Sequence, residues 1–438
     1  MQSRPSSDPT SWIYQANMHG TEDRPLLAGW ESCQHGSFFL LSWHRMELYY
    51  FERILRKASG DPNLTLPYWN YSDPADPNAR ALPLPLRQPQ TASNPLYVAQ
   101  RDSTMNAGGL LPPSAVSLSA LTDYTNFTPK PGSNLSFGGV IVTGPVHNSR
   151  THSALESTPH DVIHGVVGGV GNGSATCCWM GSFTWAARDP IFWLHHANID
   201  RLWEQWLALG GGRSNPTDQV WLDTQFEFFD ENGLSVKLSG KEVVATAAQL
   251  NYVYNHNPWD ESAQLPEKPA RDGAQVRPGS VRQLGTSKVP AGELRREPVT
   301  VPIPIVTEDK FQLLGAERAM VLNVEGIELE KMPGGYYEIY MNLPQGERPD
   351  FQSKNYVGNL SFFGLPTSAN NHAGEEAARY SYDITKIINR LKSDREWKGR
   401  EVRVTFVKQD VIPPPGMKPT EEAAPVPVRI HRLTITTE

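Results

Sequence analysis

The sequence predicts a mainly α domain with long loops, followed by an antiparallel β-sandwich. Three observations carry that expectation: two long amphipathic segments in the first half, a polar run rich in Pro and Gly at 261–300, and strand-length runs of β-branched and aromatic residues beyond it. At 438 residues the chain is long enough for two or three domains, each able to bury a core.

The elements follow in order. In FFLLSWHRMELYYFERILRKASG, apolar residues recur at three and four positions and Gly60 supplies a stop, which predicts a helix over about Phe38–Lys57. Residues 71–150 are dense in Pro, Asn, Ser and Gly and show little period, so loops with short helices and little sheet are expected there. In DPIFWLHHANIDRLWEQWLAL, Asp189 is a ready N-cap and Pro190 suits the first helical position, predicting a helix over about Asp189–Leu209. The polar run starting at Glu261 has the composition of a linker, which divides the chain into a domain at 1–260, a linker at 261–300 and a domain at 301–438. AMVLNVEGIEL, GYYEIYMNL and EVRVTFVKQ then read as strands of the sandwich.

Composition narrows the function. The net charge of -7 is spread along the chain and no block of Lys and Arg appears, which argues against nucleic acid as a partner. No apolar run approaches the roughly 20 residues of a membrane helix, and the start MQSRPSSDPT lacks the basic and apolar regions of a signal peptide, so a soluble chain is expected. Three cysteines, Cys33 and the adjacent Cys177 and Cys178, are too few for a disulfide framework.

The histidines point to chemistry. Seven of twelve fall in two windows, 19–44 and 160–196. His44 lies on the first predicted helix, His35 just before it and His19 upstream, so three imidazoles can converge. His160 and His164 have the i, i+4 spacing that puts two rings on one helical face. His195 or His196 on the second long helix supplies a third. One such histidine is ordinarily structural or exposed, but two sets of three, with no HExxH motif and no thiolate cluster, suggest two metal ions rather than one catalytic zinc. All-imidazole ligation without a bridging carboxylate suits neither hard cations nor most dinuclear hydrolases, and copper fits best.

At these residues the chain resembles the tyrosinase, catechol oxidase and polyphenol oxidase family, whose dicopper site is shared with hemocyanins. The copper A pattern is DPTSWIYQANMHG, then CQHGSFFLLSWHRMELYYFERIL and LPYWNYSDP; the copper B pattern is ESTPHDVIHGVVGG, then MGSFTWAARDPIFWLHHANIDRLWEQW. The layout, with a later VWLDTQFEFFDENGLSVKL and LNYVYN, is plant-like, while the His19 to His35 gap is nearer bacterial members. The resemblance implies a four-helix bundle around two copper ions held by His19, His35 and His44 and by His160, His164 and His196. O2 and a small phenolic substrate would be its reactants, and the sandwich is a possible shield over the site.

Further roles carry over one at a time. The resemblance makes His195, Asn198 and Asp200 groups that orient the ligands from behind, and Phe183 the gate ring above copper A. Glu156 matches the glutamate that holds a water near copper B, with a solvated acid at a helix start as the alternative. Asp161 stands where the family pattern has an asparagine, either raising the basicity of that water or attracting an amino-bearing substrate, or merely pairing locally. Gly165, after His164, offers no side chain to orient a substrate, and Phe39 and Phe192 wall the pocket. Cys33, two before His35, is spaced for a thioether to that ring, with a simple buried thiol as the alternative. The expected activity is oxidation of o-diphenols to o-quinones, with monophenol hydroxylation or o-aminophenol oxidation as extensions. A hemocyanin-like O2 carrier and a zinc hydrolase are the competing classes.

Overall fold

A computed structural model describes residues 1–149, 151–171, 178–255, 281–305, 319–367, 378–394, 400–417 and 426–437; Cys177 and residues 261–280 of the expected linker lie outside the described residues.

The first part of the chain is built on helices α1 (Trp12–His19), α2 (Leu40–Ser59), α3 (Val162–Gly168) and α4 (Pro190–Ala208). Helix α2 starts two residues later than its apolar period suggested and ends where expected, at Gly60 with φ 73°, a left-handed cap that a side chain would strain. Helix α4 matches its start signal: the Asp189 carboxylate accepts from the Ile191 amide at 3.1 Å and Pro190 opens the first turn. That cap is fixed from behind, because Arg101 donates to both Asp189 oxygens at 2.8 and 2.6 Å with both side chains fully buried. Residues 71–149 contain only short helical turns such as Leu84–Arg87, Ser103–Asn106 and Pro113–Val116, and no strand among the described residues.

Helices α2 and α4 carry most of the aromatic core. Trp43, Trp193, Trp203 and Trp206 are fully buried, and each buried side chain of this size contributes roughly 1.5–3 kcal/mol from area alone. One polar knot crosses this core. Arg45 of α2 reaches Asp200 of α4 at 2.5 Å and lies over Trp203 at 3.7 Å, and the other Asp200 oxygen accepts from Tyr252 and Tyr254 at 2.5 and 2.6 Å. The hydrophobic run at 225–239 forms an antiparallel hairpin of β1 (Gln225–Phe229) and β2 (Ser235–Ser239), which lays Phe226 and Phe228 against α2.

The C-terminal part is an antiparallel two-sheet sandwich. One sheet has β5 (Val299–Pro304), β10 (Glu401–Gln409), β7 (Tyr336–Met341) and β8 (Tyr356–Leu360) in that order. The other has β3 (Arg282–Thr286), β11 (Val428–Thr437), β6 (Met320–Leu329) and β9 (Arg379–Asp383), with β4 (Gly292–Leu294) also on β11. The linker expected to run to residue 300 is therefore corrected: from Arg282 the chain is already paired into the sandwich, because short polar strands with Gly and Pro carry no visible period. Strand β7 is buried along its whole length. Tyr337, Ile339 and Met341 face the sandwich core, while Tyr336 and Glu338 face the helical part, where Glu338 accepts from Ser114 at 2.6 Å. The sandwich thus lies on the helical domain through a buried polar seam. No helix among the described residues is long and apolar enough to cross a membrane.

Candidate metal centre

The histidines converge as two adjoining clusters, all buried. Helix α1 ends on His19, the segment before α2 brings His35, and the second turn of α2 brings His44; their ring centroids lie 4.9–5.7 Å apart. On the other side His160 and His164 are 4.7 Å apart and His196 lies 4.9 and 5.5 Å from them. The two clusters touch through His44 and His196, stacked at 4.3 Å. One local expectation is corrected: His160 and His164 do not share a regular helix. His160 sits in a kinked π-helical turn, Glu156–Asp161, because Pro159 removes an amide and Thr158 adopts extended angles, and only His164 is on α3.

Hydrogen bonds fix which nitrogen faces inward. A carbonyl only accepts, so His19 Nδ1 must donate to Phe183 O at 3.1 Å, His44 Nδ1 to Leu40 O at 2.8 Å and His164 Nδ1 to Met180 O at 2.8 Å. His160 Nδ1 donates to Asp161 Oδ1 at 2.8 Å. The lone pair is then left on Nε2 in the neutral rings of His19, His44 and His164. Burial and the neighbouring imidazoles push His19, His35, His164 and His196 far below the usual histidine range, and burial and His160 push His44 down to about 3, so these rings are neutral. The Nε2 atoms of His19, His35, His44 and His160 are buried without a partner. Leaving such an atom unsatisfied costs about 1–3 kcal/mol, so a cluster of them is the arrangement of a ligand cage, and neutral imidazole nitrogen backed by a carbonyl or carboxylate is the donor copper takes.

The third place in the second cluster has two claimants. Nitrogens of His160, His164 and His195 lie within 4.8 Å of one another, yet His196 Nε2 is 3.3 Å from His164 Nε2. Two imidazoles on one ion at bond lengths of about 2.0–2.1 Å and a tetrahedral angle stand about 3.3 Å apart, so His196 has the separation of a co-ligand. The His195 ring lies 5.0 Å from His164, 5.5 Å from His160 and 5.8 Å from Tyr71 between ring centroids.

Around the cage, Phe183 covers His35 at 4.6 Å and His19 at 5.3 Å, and Phe192 flanks His196 at 4.2 Å and His19 at 4.9 Å. Phe39 packs instead on Phe38 and Phe226 in the core. Gly165 lies beneath the sandwich, where a Cβ would meet Gly335 O at 3.1 Å. Asn198 accepts from Arg201 at 3.4 Å, and Asp200 is committed to the Arg45 knot rather than to an imidazole. Cys33 is a buried free thiol whose sulfur contacts His147 Nδ1 at 3.3 Å. Glu156 is fully buried rather than solvated; burial pushes its pKa up, and it accepts from the Gly36 amide at 2.7 Å. Burial works against the charge of Asp161 as well, but His152 and His160 hold its pKa below the usual value.

Two residues at the site had no place in the sequence argument. Phe363, in the loop after β8, stacks on His164 at 3.9 Å and 11° and lies 5.8 Å from His160 and 6.1 Å from His35. Its loop is pinned by Asn148, which donates to Gly364 O at 2.7 Å. His152 donates to Asp161 Oδ2 at 2.6 Å. Burial disfavours its charge, but Asp161 and Glu156 prevail and push its pKa up to about 9. Nothing local marks Phe363, whereas His152 stands four before Glu156, a spacing that could have been noticed.

Residues 9–209 match the common central domain of tyrosinase, 215–264 the polyphenol oxidase middle domain, and 306–435 a domain of unknown function. A tyrosinase of Hahella sp. (strain CCB-MM4) is 31% identical, covering 93% of this chain and 90% of the relative; a chloroplastic polyphenol oxidase of Malus domestica is 30% identical over 90% and 69%. The fold matches the structure of latent apple tyrosinase with a TM-score of 0.67 at 23% identity, covering 100% of this chain and 91% of that one.

Proposed function

Because this chain belongs to the tyrosinase and polyphenol oxidase family of type 3 copper oxidases, we propose that it is an o-diphenol oxidase whose own sandwich covers the active site. The observation that carries the copper site is the cluster of buried imidazoles in which the Nε2 atoms of His19, His35, His44 and His160 have no partner. His19, His35 and His44 would hold one copper and His160, His164 and His196 the other, with α1, α2, α3 and α4 as the four-helix frame. The bound pair supplies the redox chemistry, by which two o-diphenols become two o-quinones as one O2 is reduced to two waters.

The protein's own part is positioning and exclusion of water. Carbonyls behind His19, His44 and His164 fix their rings. Phe183 and Phe192 offer aromatic faces to a phenol ring. Hydroxylating a monophenol needs a base for a proton with pKa about 10. Neither buried carboxylate is free for it: Asp161 accepts from His160 and His152, and Glu156 from Gly36 at 2.7 Å and Ser153 at 3.4 Å. That supports diphenol over monophenol oxidation. It does not favour an aminophenol, since the Asp161 charge is already paired. Phe363 takes the place a substrate ring would occupy against His164, which supports a shielded form. The test is oxygen uptake by the copper-loaded full chain with catechol, p-cresol and o-aminophenol in parallel. Turnover of catechol without p-cresol is expected, and p-cresol hydroxylation at a rate matching catechol would reject the diphenolase assignment.

A further inference from the structure

The support of His160 reaches into the C-terminal sandwich. His160 donates to Asp161 Oδ1 at 2.8 Å, and Asp161 Oδ2 accepts from His152 Nδ1 at 2.6 Å. Tyr380 of β9 stacks on the His152 ring at 4.8 Å and 14°. Ser361 adds a weaker donor to Asp161 Oδ2 at 3.4 Å, and Thr151 bridges to Arg379 in the parallel sense. His152, Asp161, Ser361 and Tyr380 are all buried. His152 Nε2 has no partner, so the ring is held by its hydrogen bond to Asp161, a longer ionic contact with Glu156 at 3.9 Å and the stack.

We propose that His152 is a positioning residue for copper B and that the sandwich holds it in place through Tyr380, so the domain that covers the site also completes the support of a copper ligand. The inference rests on the copper assignment above and deepens it. Asp161 can orient the His160 ring only while its second oxygen is tied down. Without His152 that oxygen is left buried with one long contact, and the carboxylate is free to turn away or take a proton. A third metal ion among His152, Glu156 and Asp161, whose candidate ligand atoms lie within 4.8 Å, is disfavoured by the geometry. The 2.6 Å contact is a hydrogen bond, shorter than the about 3 Å between two atoms sharing an ion.

The test uses the full copper-loaded chain and metal analysis across a chelator series. In His152→Leu, which keeps bulk but loses the donor, one of two coppers should be released at a chelator concentration about tenfold or more lower than in wild type. His152→Asn places an amide N–H where Nδ1 was and should restore retention. Tyr380→Phe should retain copper as wild type does, and Tyr380→Ala should release one equivalent early. Retention of both coppers by His152→Leu at the wild-type concentration would overturn the proposal, and so would release of both together, which marks general collapse. A third copper in wild type, lost in His152→Leu, would overturn it in favour of a metal site. Wild type that binds no copper pair would instead sink the assignment beneath it.

Discussion

Replacing Phe363 by alanine separates a covering domain from an integral wall. The ring is buried at 2% exposure, stacked on His164 at 3.9 Å and 5.6 Å from Phe183. Burial of a phenylalanine contributes roughly 1.5–3 kcal/mol, and an aromatic stack of this kind about 0.5–1.5 kcal/mol more. Together they favour the closed arrangement by about 2–4.5 kcal/mol, which at about 1.4 kcal/mol per factor of ten is roughly 30- to 1,600-fold. Apparent affinity scales with the fraction of molecules open to substrate. The kcat/KM for catechol, read by oxygen uptake, should therefore rise by about 30-fold or more in Phe363→Ala, and less in Phe363→Leu, which refills part of the space. A folded variant with two coppers and wild-type kcat/KM would refute the shield.

Three further outcomes follow from the same geometry. His196→Ala should lose one copper per chain by metal analysis while His195→Ala keeps two; the reverse pattern would make His195 the ligand. Asp189→Ala removes the α4 cap, worth about 1 kcal/mol, and strands the buried Arg101, worth about 3–5 kcal/mol; a urea midpoint within error of wild type would contradict that account of the α4 start. His152 has its pKa raised from 6.5 to about 9, so its charged contribution is fully present below about 6.5 and lost as pH rises through about 9. The stability gap between wild type and His152→Leu should accordingly shrink from pH 6.5 to 9.5, and a gap that widens would reverse the sign.

What the sequence revealed follows periodicity and pairing. Helix α2, helix α4 and the strands β6, β7 and β10 carry strong local period, and the histidines declare themselves by clustering on or beside helices. Three things stayed hidden. The kink that takes His160 off a regular helix depends on Pro159 and the extended Thr158, which the i, i+4 spacing of the histidines overrode in the sequence. The pairing of Arg282–Thr286 and Gly292–Leu294 with β11 is a long-range choice that polar, Gly-bearing segments do not announce. Phe363 lies 199 positions after His164, and the docking of one domain on another, which brings them together, leaves no periodic trace. Asp161 was noticed as a departure from the family pattern, but its partner His152 and the stack of Tyr380 on that ring are legible only in three dimensions.

The most direct test of the central claim is the absorption spectrum of the copper-loaded full chain before and after hydrogen peroxide. A dicopper site in the cage of His19, His35, His44, His160, His164 and His196 predicts a new charge-transfer band that is lost when His44 or His164 is replaced by alanine. A colourless protein whose spectrum peroxide leaves unchanged, despite two equivalents of bound metal, would contradict it.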